Sequence, residues 1–197
     1  PTGQVSADDG GQNPPMFSWE TGAPGVFRFF QPPLAAEMSW LLPFALFSLV
    51  VIALQSRIKL PVESGAHLGL LLWGGWLMTC VVFFSMVSGI FHSYYAIMLA
   101  PALGAMIGIG FAQLWSWGKD KNWVGILLIV AAAITLAFQV FASYQYGEQS
   151  WWMLGVGILF MVGALSMVVM KRVAYVMVLA SMLIIPMYWT VMTVVSD

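Results

Sequence analysis

Charged side chains are scarce in this sequence, and their scarcity excludes most soluble folds. Asp, Glu, Lys and Arg make up 8% of the 197 residues, whereas hydrophobic residues make up 61%. A soluble domain carries about 25% charged and about 45–50% apolar residues. A soluble fold of this length could not hide so much apolar surface, because most of its area must still face water. Lipid is the solvent that fits this composition.

Cysteine is nearly absent as well. The single residue, Cys80, excludes an internal disulfide and a cysteine-rich metal site. The formal net charge of −1 gives no support for nucleic-acid binding or for a strongly basic protein of the membrane surface. No signal peptide is visible, and the chain starts without Met, which suggests a fragment or a processed piece.

Long apolar segments predict a bundle of membrane-spanning helices. A helix needs about 20 mostly apolar residues to cross the hydrocarbon core, and helices satisfy every backbone polar group internally. We therefore predict an all-α, polytopic membrane helix bundle of about six transmembrane helices. Residues 1–39 are predicted to form an extracytoplasmic flexible and interfacial segment, and residues 40–197 the transmembrane domain. The predicted spans are 40–55, 67–90, 95–115, 123–142, 151–170 and 173–194.

Basic residues follow every second span, and this alternation predicts the orientation of the bundle. The two remaining linkers, near His92 and at 143–150, carry no Lys or Arg. Basic residues concentrate on the cytoplasmic side of membrane proteins. We therefore expect a multi-pass protein of the plasma membrane with both termini and the His92 linker outside. The basic linkers carry Arg57 and Lys59, Lys119 and Lys121, and Lys171 and Arg172.

The linker between the second and third spans holds the candidate binding residues. His92, Tyr94 and Tyr95 lie between two long apolar segments with almost no other polar residues around them. Their side chains supply hydrogen-bond donors for a phosphate or a sugar hydroxyl, and aromatic faces that can stack on a sugar ring. The alternative is an aromatic turn that only anchors two helices at the membrane interface. Both interpretations are open.

Arg28 is the only basic residue on the predicted outer side. It could bind the phosphate of an anionic lipid, or it could be a solvated interfacial charge. Ionisable side chains are essentially missing from the predicted spans, which disfavours an ion-coupled transporter. No P-loop, metal cluster, Ser–His–Asp set or carboxylate pair can be assembled, so we predict neither catalytic residues nor metal ligands in this chain.

The segment FHSYYAIMLAPALGAMIGIG, residues 91–110, resembles a helix of bacterial membrane glycosyltransferases related to protein O-mannosyltransferases and to the lipid A aminoarabinose transferase. The upstream segments GVFRFFQPPLAAEMSWLLPFAL and LLLWGGW share this resemblance, which covers about residues 22–115 and, more weakly, the later spans. It implies an all-helical membrane fold of the GT-C type. It also implies transfer of a sugar from a polyprenyl-phosphate carrier to an acceptor on the outer face.

The resemblance implies that this chain is the C-terminal membrane portion of such an enzyme. The acidic catalytic residue of that group lies in the first outward loop and has no counterpart here, so the chain alone is expected to be inactive. Expected partners are membrane lipids, a polyprenyl-phosphate sugar and the N-terminal half of the same enzyme, with no nucleic acid. No cofactor is expected; a divalent metal is compatible with the fold type, but no ligand set is visible.

A non-catalytic helical membrane module is the alternative function, either an assembly subunit or a lipid-binding scaffold. It explains the missing catalytic carboxylate directly. It gives no reason for the polar aromatic residues beside His92.

Overall fold

Helices form most of the described part of the protein. The structure is a computed structural model that describes residues 21–55, 62, 64–88, 92–145 and 151–195. These residues contain no β-strand, which confirms the predicted all-α bundle. Helical segments long and apolar enough to cross a membrane are His67–Met86, Ser93–Gly118, Trp123–Gln145 and Lys171–Val195, and shorter apolar helices occupy Leu42–Leu54 and Trp152–Ser166.

The helical elements run in the order that the apolar segments predict. A π-helical stretch, Leu70–Gly74, joins two α-helices into one continuous second span, and 3-10 turns occupy Arg28–Phe30 and Ser93–Met98. The α-helices of the described residues are α1 (Leu34–Glu37), α2 (Leu42–Gln55), α3 (Gly65–Gly69), α4 (Gly75–Met86), α5 (Leu99–Gly118), α6 (Trp123–Gln145), α7 (Trp152–Ser166) and α8 (Lys171–Val195).

Several helix ends differ from the predicted span limits. The second span ends at Met86 rather than at residue 90, because Val87 has extended backbone angles (φ −63°, ψ 133°). The α7 helix has 15 residues and stops at Ser166, short of the predicted limit at 170. Within residues 21–39, Phe29 and Leu34 are buried in the same apolar core as the spans.

The α2 helix connects the early spans of the bundle to the later ones. It packs against α5 and α6, while α6 also packs against α8 and α7 pairs with α8. A glycine permits the close contact between α5 and α2, because a Cβ atom at Gly110 of α5 would lie 3.2 Å from the Cα atom of Ser48 in α2. Close packing of this kind drives helix association in membranes, where lipid is as apolar as the helix surfaces.

One polar side chain inside the bundle compensates for a proline. Pro186 lies within α8 and has no N–H to donate to the carbonyl oxygen of Met182, four residues earlier. The fully buried Gln139 of α6 donates from Nε2 to that oxygen at 2.9 Å and to the carbonyl oxygen of Trp40 at 3.0 Å. A neighbouring helix therefore supplies the hydrogen bond that the proline removes from α8.

The two ends of the bundle differ in their chemistry. The basic end comprises the linker between α5 and α6 and the start of α8, where Lys171 Nζ donates to Asn122 Oδ1 at 2.6 Å. The end of α2 lies here too, since Leu54 and Lys121 line one cavity. The aromatic end comprises the 3-10 turn Ser93–Met98 and the C-terminal ends of α4 and α6.

This grouping agrees with the alternation of basic linkers along the chain. The described basic residues of the third and fifth linkers lie at the basic end, and α2 points its C-terminus to that end. Arg57 and Lys59, of the first linker, lie outside the described residues. Which side of the membrane each end faces stays a prediction, as does the orientation of the two termini.

Candidate functional site

Three aromatic rings meet at the aromatic end of the bundle. His92 has an extended backbone (φ −95°, ψ 143°) and directly precedes the 3-10 turn. Its ring stacks on that of Tyr94, with centroids 5.3 Å apart and planes inclined by 10°. The ring centroids of Tyr94 and Tyr95 lie 4.5 Å apart, and those of His92 and Tyr95 6.1 Å apart. The structure thus brings the three residues into one group, the aromatic cluster.

The aromatic cluster is accessible. Tyr94 and Tyr95 are 62% and 42% exposed, and His92 is half-buried. Accessible rings and polar atoms are what binding of a sugar or a phosphate requires. Exposed tyrosine rings at a membrane interface fit the anchoring alternative equally well. The role of these residues in binding therefore stays a prediction.

A carboxylate that sequence reasoning missed lies beside the aromatic cluster. The carboxylate of Glu37, at the end of α1, accepts a hydrogen bond from the side chain of Ser93. Glu37 and Tyr94 also line one cavity of about 350 Å³. No spacing rule links Glu37 to Ser93, since they are far apart in the chain and meet only through the fold. The other lining residues are apolar: Met38, Ala96, Ile97, Leu99, Ala100 and Leu103.

The Glu37 carboxyl titrates in an apolar setting, and we expect it to make stability depend on pH. Desolvation by neighbouring apolar atoms raises its pKa, and the Ser93 hydrogen bond opposes this only in part. Because the folded-state pKa lies above the unfolded one, the stabilising contribution is fully present below the unfolded pKa. It is lost as pH rises through the folded pKa.

The melting temperature measured between about pH 4 and about pH 7 checks this expectation. Relative to Glu37→Gln, which keeps an oxygen for Ser93 to donate to, the unchanged protein should lose stability as pH rises. Because Glu37 is still partly exposed to solvent, the change should be small. Parallel profiles for the two proteins would show that the carboxyl is fully hydrated.

Arg28 is nearly closed to solvent, with 4% of its surface exposed. Its Nη1 atom donates to the carbonyl oxygens of Phe84 at 2.9 Å and Val87 at 2.7 Å. Its Nε and Nη2 atoms donate to the backbone oxygen of Thr21 at 2.9 Å and to its Oγ1 at 2.7 Å. Terminal helix carbonyls lack intrahelical donors, and a helix C-terminus favours a cation.

Arg28 therefore closes the C-terminal end of α4 and holds the preceding segment against the bundle. This burial excludes the solvated-charge interpretation of Arg28. Binding of a lipid phosphate by the same guanidinium stays a prediction. It would have to share donors that already serve four protein oxygens.

Acidic residues in the described part of the chain do not pair. Glu37 and Asp120 are the carboxylates that the structure describes, and they lie at opposite ends of the bundle. No group of three His, Cys, Asp or Glu residues in these ranges could hold a metal ion. The described residues thus offer hydrogen-bond donors, aromatic faces and one carboxylate at the aromatic end.

Comparison with known proteins adds a functional context to this geometry. No protein-family model and no solved structure matches the chain. The chain is similar to two proteins of Bacillus subtilis (strain 168), named "Putative mannosyltransferase YkcB" and "Putative mannosyltransferase YycA". It is 35% identical to each, over 182 and 179 residues, or 86% of this chain. These matches cover 25% and 26% of the relatives, so the chain spans about a quarter of their length.

Proposed function

Because this chain is a relative of mannosyltransferase-like membrane glycosyltransferases, as the resemblance in its sequence predicted, we propose that it is the C-terminal membrane portion of such an enzyme. The enzyme transfers a sugar from a polyprenyl-phosphate carrier to an acceptor on the outer face of the membrane. The observation that carries this proposal is the accessible aromatic cluster bordering an apolar cavity.

A lipid-linked sugar has two chemically different parts, and the aromatic end offers a matching surface for each. The isoprenoid chain is apolar and suits the cavity lined by Ile97 and its neighbours, where Ile97 and Met98 are exposed by 69% and 53%. The phosphate and the sugar are polar and suit the rim formed by Tyr94 and Glu37. A cavity that joins an apolar wall to a few polar groups is typical of a ligand site.

Each rim residue has a distinct role in this proposal. His92 and the hydroxyl groups of Tyr94 and Tyr95 donate hydrogen bonds to the phosphate, and such donors favour its departure as a leaving group. The tyrosine faces stack on the sugar ring. Glu37 holds Ser93 and thereby positions the turn that carries the two tyrosines. The general base that activates the acceptor hydroxyl comes from another part of the enzyme.

We expect His92→Ala and Tyr95→Phe each to lower the rate of sugar transfer by about tenfold or more, because each removes a hydrogen-bond donor to the phosphate. The assay uses membranes that contain the protein expressed from its natural open reading frame. The donor is polyprenyl-phosphate mannose, and the variants are compared at equal expression levels. Tyr144→Phe is the matched control. Tyr144 is 55% exposed near the C-terminal end of α6, at the aromatic end but outside the cluster.

The possible outcomes separate the enzyme from its alternative. Unchanged transfer by both His92→Ala and Tyr95→Phe would remove the aromatic cluster from the donor site. No transfer by the unchanged protein with any polyprenyl-phosphate sugar would favour the non-catalytic membrane module. An equal loss in Tyr144→Phe would indicate a general effect of tyrosine hydroxyls at this end.

A further inference from the structure

The basic end of the bundle contains a cavity that the proposed sugar transfer does not use. It has a volume of about 310 Å³ and lies between the end of α5 and the start of α8. Cations from two separate elements surround it, so its charge does not depend on one helix terminus. The lining residues are Trp115, Gly118, Lys119, Lys171, Arg172 and Tyr175.

Contacts around the cavity hold its walls in place. Lys171 Nζ donates to Asn122 Oδ1 at 2.6 Å and to the carbonyl oxygen of Gly118 at 3.4 Å, which ties α8 to the linker after α5. The buried Tyr175 donates its hydroxyl to the carbonyl oxygen of Leu114 at 3.3 Å. Its ring meets that of Trp115 edge to face, with centroids 5.3 Å apart. The cavity is therefore preformed.

Electrostatics at the basic end favour an anion. Four cations outweigh the single described carboxylate of this end, that of Asp120. The N-terminus of α8 adds the positive end of a helix dipole of 25 residues. The cations are Lys119, Lys121, Lys171 and Arg172.

An apolar surface adjoins these cations and restricts the class of ligand that fits the cavity. A second cavity, of about 470 Å³, shares Lys171 and Arg172 and is otherwise apolar, lined by residues 168–170 and Val173. Val168 and Val169 are 88% and 84% exposed. Lys171 and Arg172 thus lie between a cavity lined by cations and an exposed apolar surface, and this arrangement fits an amphiphile with an anionic head.

We propose that the basic end binds one anionic phospholipid. Its phosphate lies among Lys119, Lys171 and Arg172, and its acyl chains run along Val168 and Val169. Basic pockets between membrane helices recognise anionic headgroups, and Trp115 lies near the end of a span, where aromatic residues of the membrane interface are common. With the predicted topology this lipid belongs to the cytoplasmic leaflet. The site is independent of the sugar-transfer reaction, which is assigned to the opposite end.

Native mass spectrometry of the purified protein tests this site. We expect phosphatidylglycerol to bind at least tenfold more tightly than phosphatidylcholine with the same acyl chains. Lys171→Gln combined with Arg172→Gln should reduce this affinity by about 10- to 30-fold, at roughly fivefold per cation. Arg172→Gln alone leaves the Lys171–Asn122 hydrogen bond intact and should lose about fivefold even if the double variant fails to fold. Lys121→Gln, whose side chain lines a different cavity, is the matched control.

Three results would overturn the proposal. Equal affinity for the two phospholipids would show that the protein does not recognise the headgroup charge. If inorganic phosphate displaced the bound lipid and the protein showed no preference for phosphatidylglycerol, the cavity would be a site for the free anion and not for a phospholipid. A loss in Lys121→Gln equal to that in Arg172→Gln would indicate diffuse attraction to the whole basic end in place of a defined site.

Discussion

Replacing Arg28 by lysine should destabilise the protein by about 3 kcal/mol, even though the charge is conserved. The planar guanidinium serves Thr21 on one side and the carbonyl oxygens of Phe84 and Val87 on the other. A single ammonium group cannot reach both sides at once. The variant should leave carbonyl groups at the end of α4 without donors, and it should release residues 21–30 from the bundle.

Thermal unfolding in detergent measures this effect, and Arg172→Lys is its matched control. Arg172 is exposed and is not held by buried backbone oxygens as Arg28 is, so the same exchange there should leave the melting temperature unchanged. Limited proteolysis gives a second measurement, because residues 21–30 should be cleaved faster only in Arg28→Lys. Equal stability of the two variants would show that the Arg28 hydrogen bonds contribute nothing net.

Replacing Gln139 by leucine should lower the free energy of unfolding by about 2 kcal/mol. The size of this loss should depend on the residue at position 186. The substitution removes the donor to the carbonyl oxygens of Met182 and Trp40. In a Pro186→Ala background, however, the N–H of the new alanine can donate to Met182 within α8. Gln139→Leu should therefore cost less there, and only the contact with Trp40 should still be lost.

A double-mutant cycle between Gln139→Leu and Pro186→Ala measures this dependence, with an expected coupling energy of about 1 kcal/mol. The four proteins are compared by unfolding in the same detergent. The two single variants act as each other's controls, since neither alone distinguishes loss of packing from loss of the hydrogen bond. Additive effects would mean that Gln139 does not compensate for the proline.

Sequence could predict the helical bundle because lipid imposes a strong and local rule. Apolar segments of sufficient length and the basic residues between them, such as Lys119 and Lys171, are readable without knowledge of tertiary contacts. The ends of the helices, by contrast, depend on tertiary contacts and cannot be read from the sequence in this way. The second span stops at Met86 because Val87 leaves the helix, and Arg28, a residue distant in the chain, donates hydrogen bonds to the carbonyl oxygens of Phe84 and Val87.

The candidate site was predictable only in the part that is contiguous along the chain. His92, Tyr94 and Tyr95 are neighbours in sequence, so their ring contacts follow from local geometry. Glu37 joins them through a tertiary hydrogen bond with Ser93, for which the sequence holds no signal. Arg28 showed the converse problem, since a lone arginine beside a span can face lipid, water or backbone oxygens. In the structure, the Arg28 side chain faces backbone oxygens.

Both proposals depend on the predicted topology, in which the end with the aromatic cluster faces outside and the end with the basic linkers faces the cytoplasm. Each proposal uses one of them: sugar transfer requires the first, and binding of a cytoplasmic-leaflet phospholipid the second. Ser88 and Asp120 are exposed reporters of these two ends. Cys80 is buried and can be replaced by alanine to give a background for single cysteines.

The most direct test is labelling of Ser88→Cys and Asp120→Cys in intact cells with a membrane-impermeant maleimide. The protein is produced from its natural reading frame in a background without other cysteines. We expect Ser88→Cys to react from outside and Asp120→Cys to react only after the membrane is permeabilised. Reaction of Asp120→Cys from outside, with Ser88→Cys protected until permeabilisation, would contradict the topology and the proposed sugar-transfer site with it.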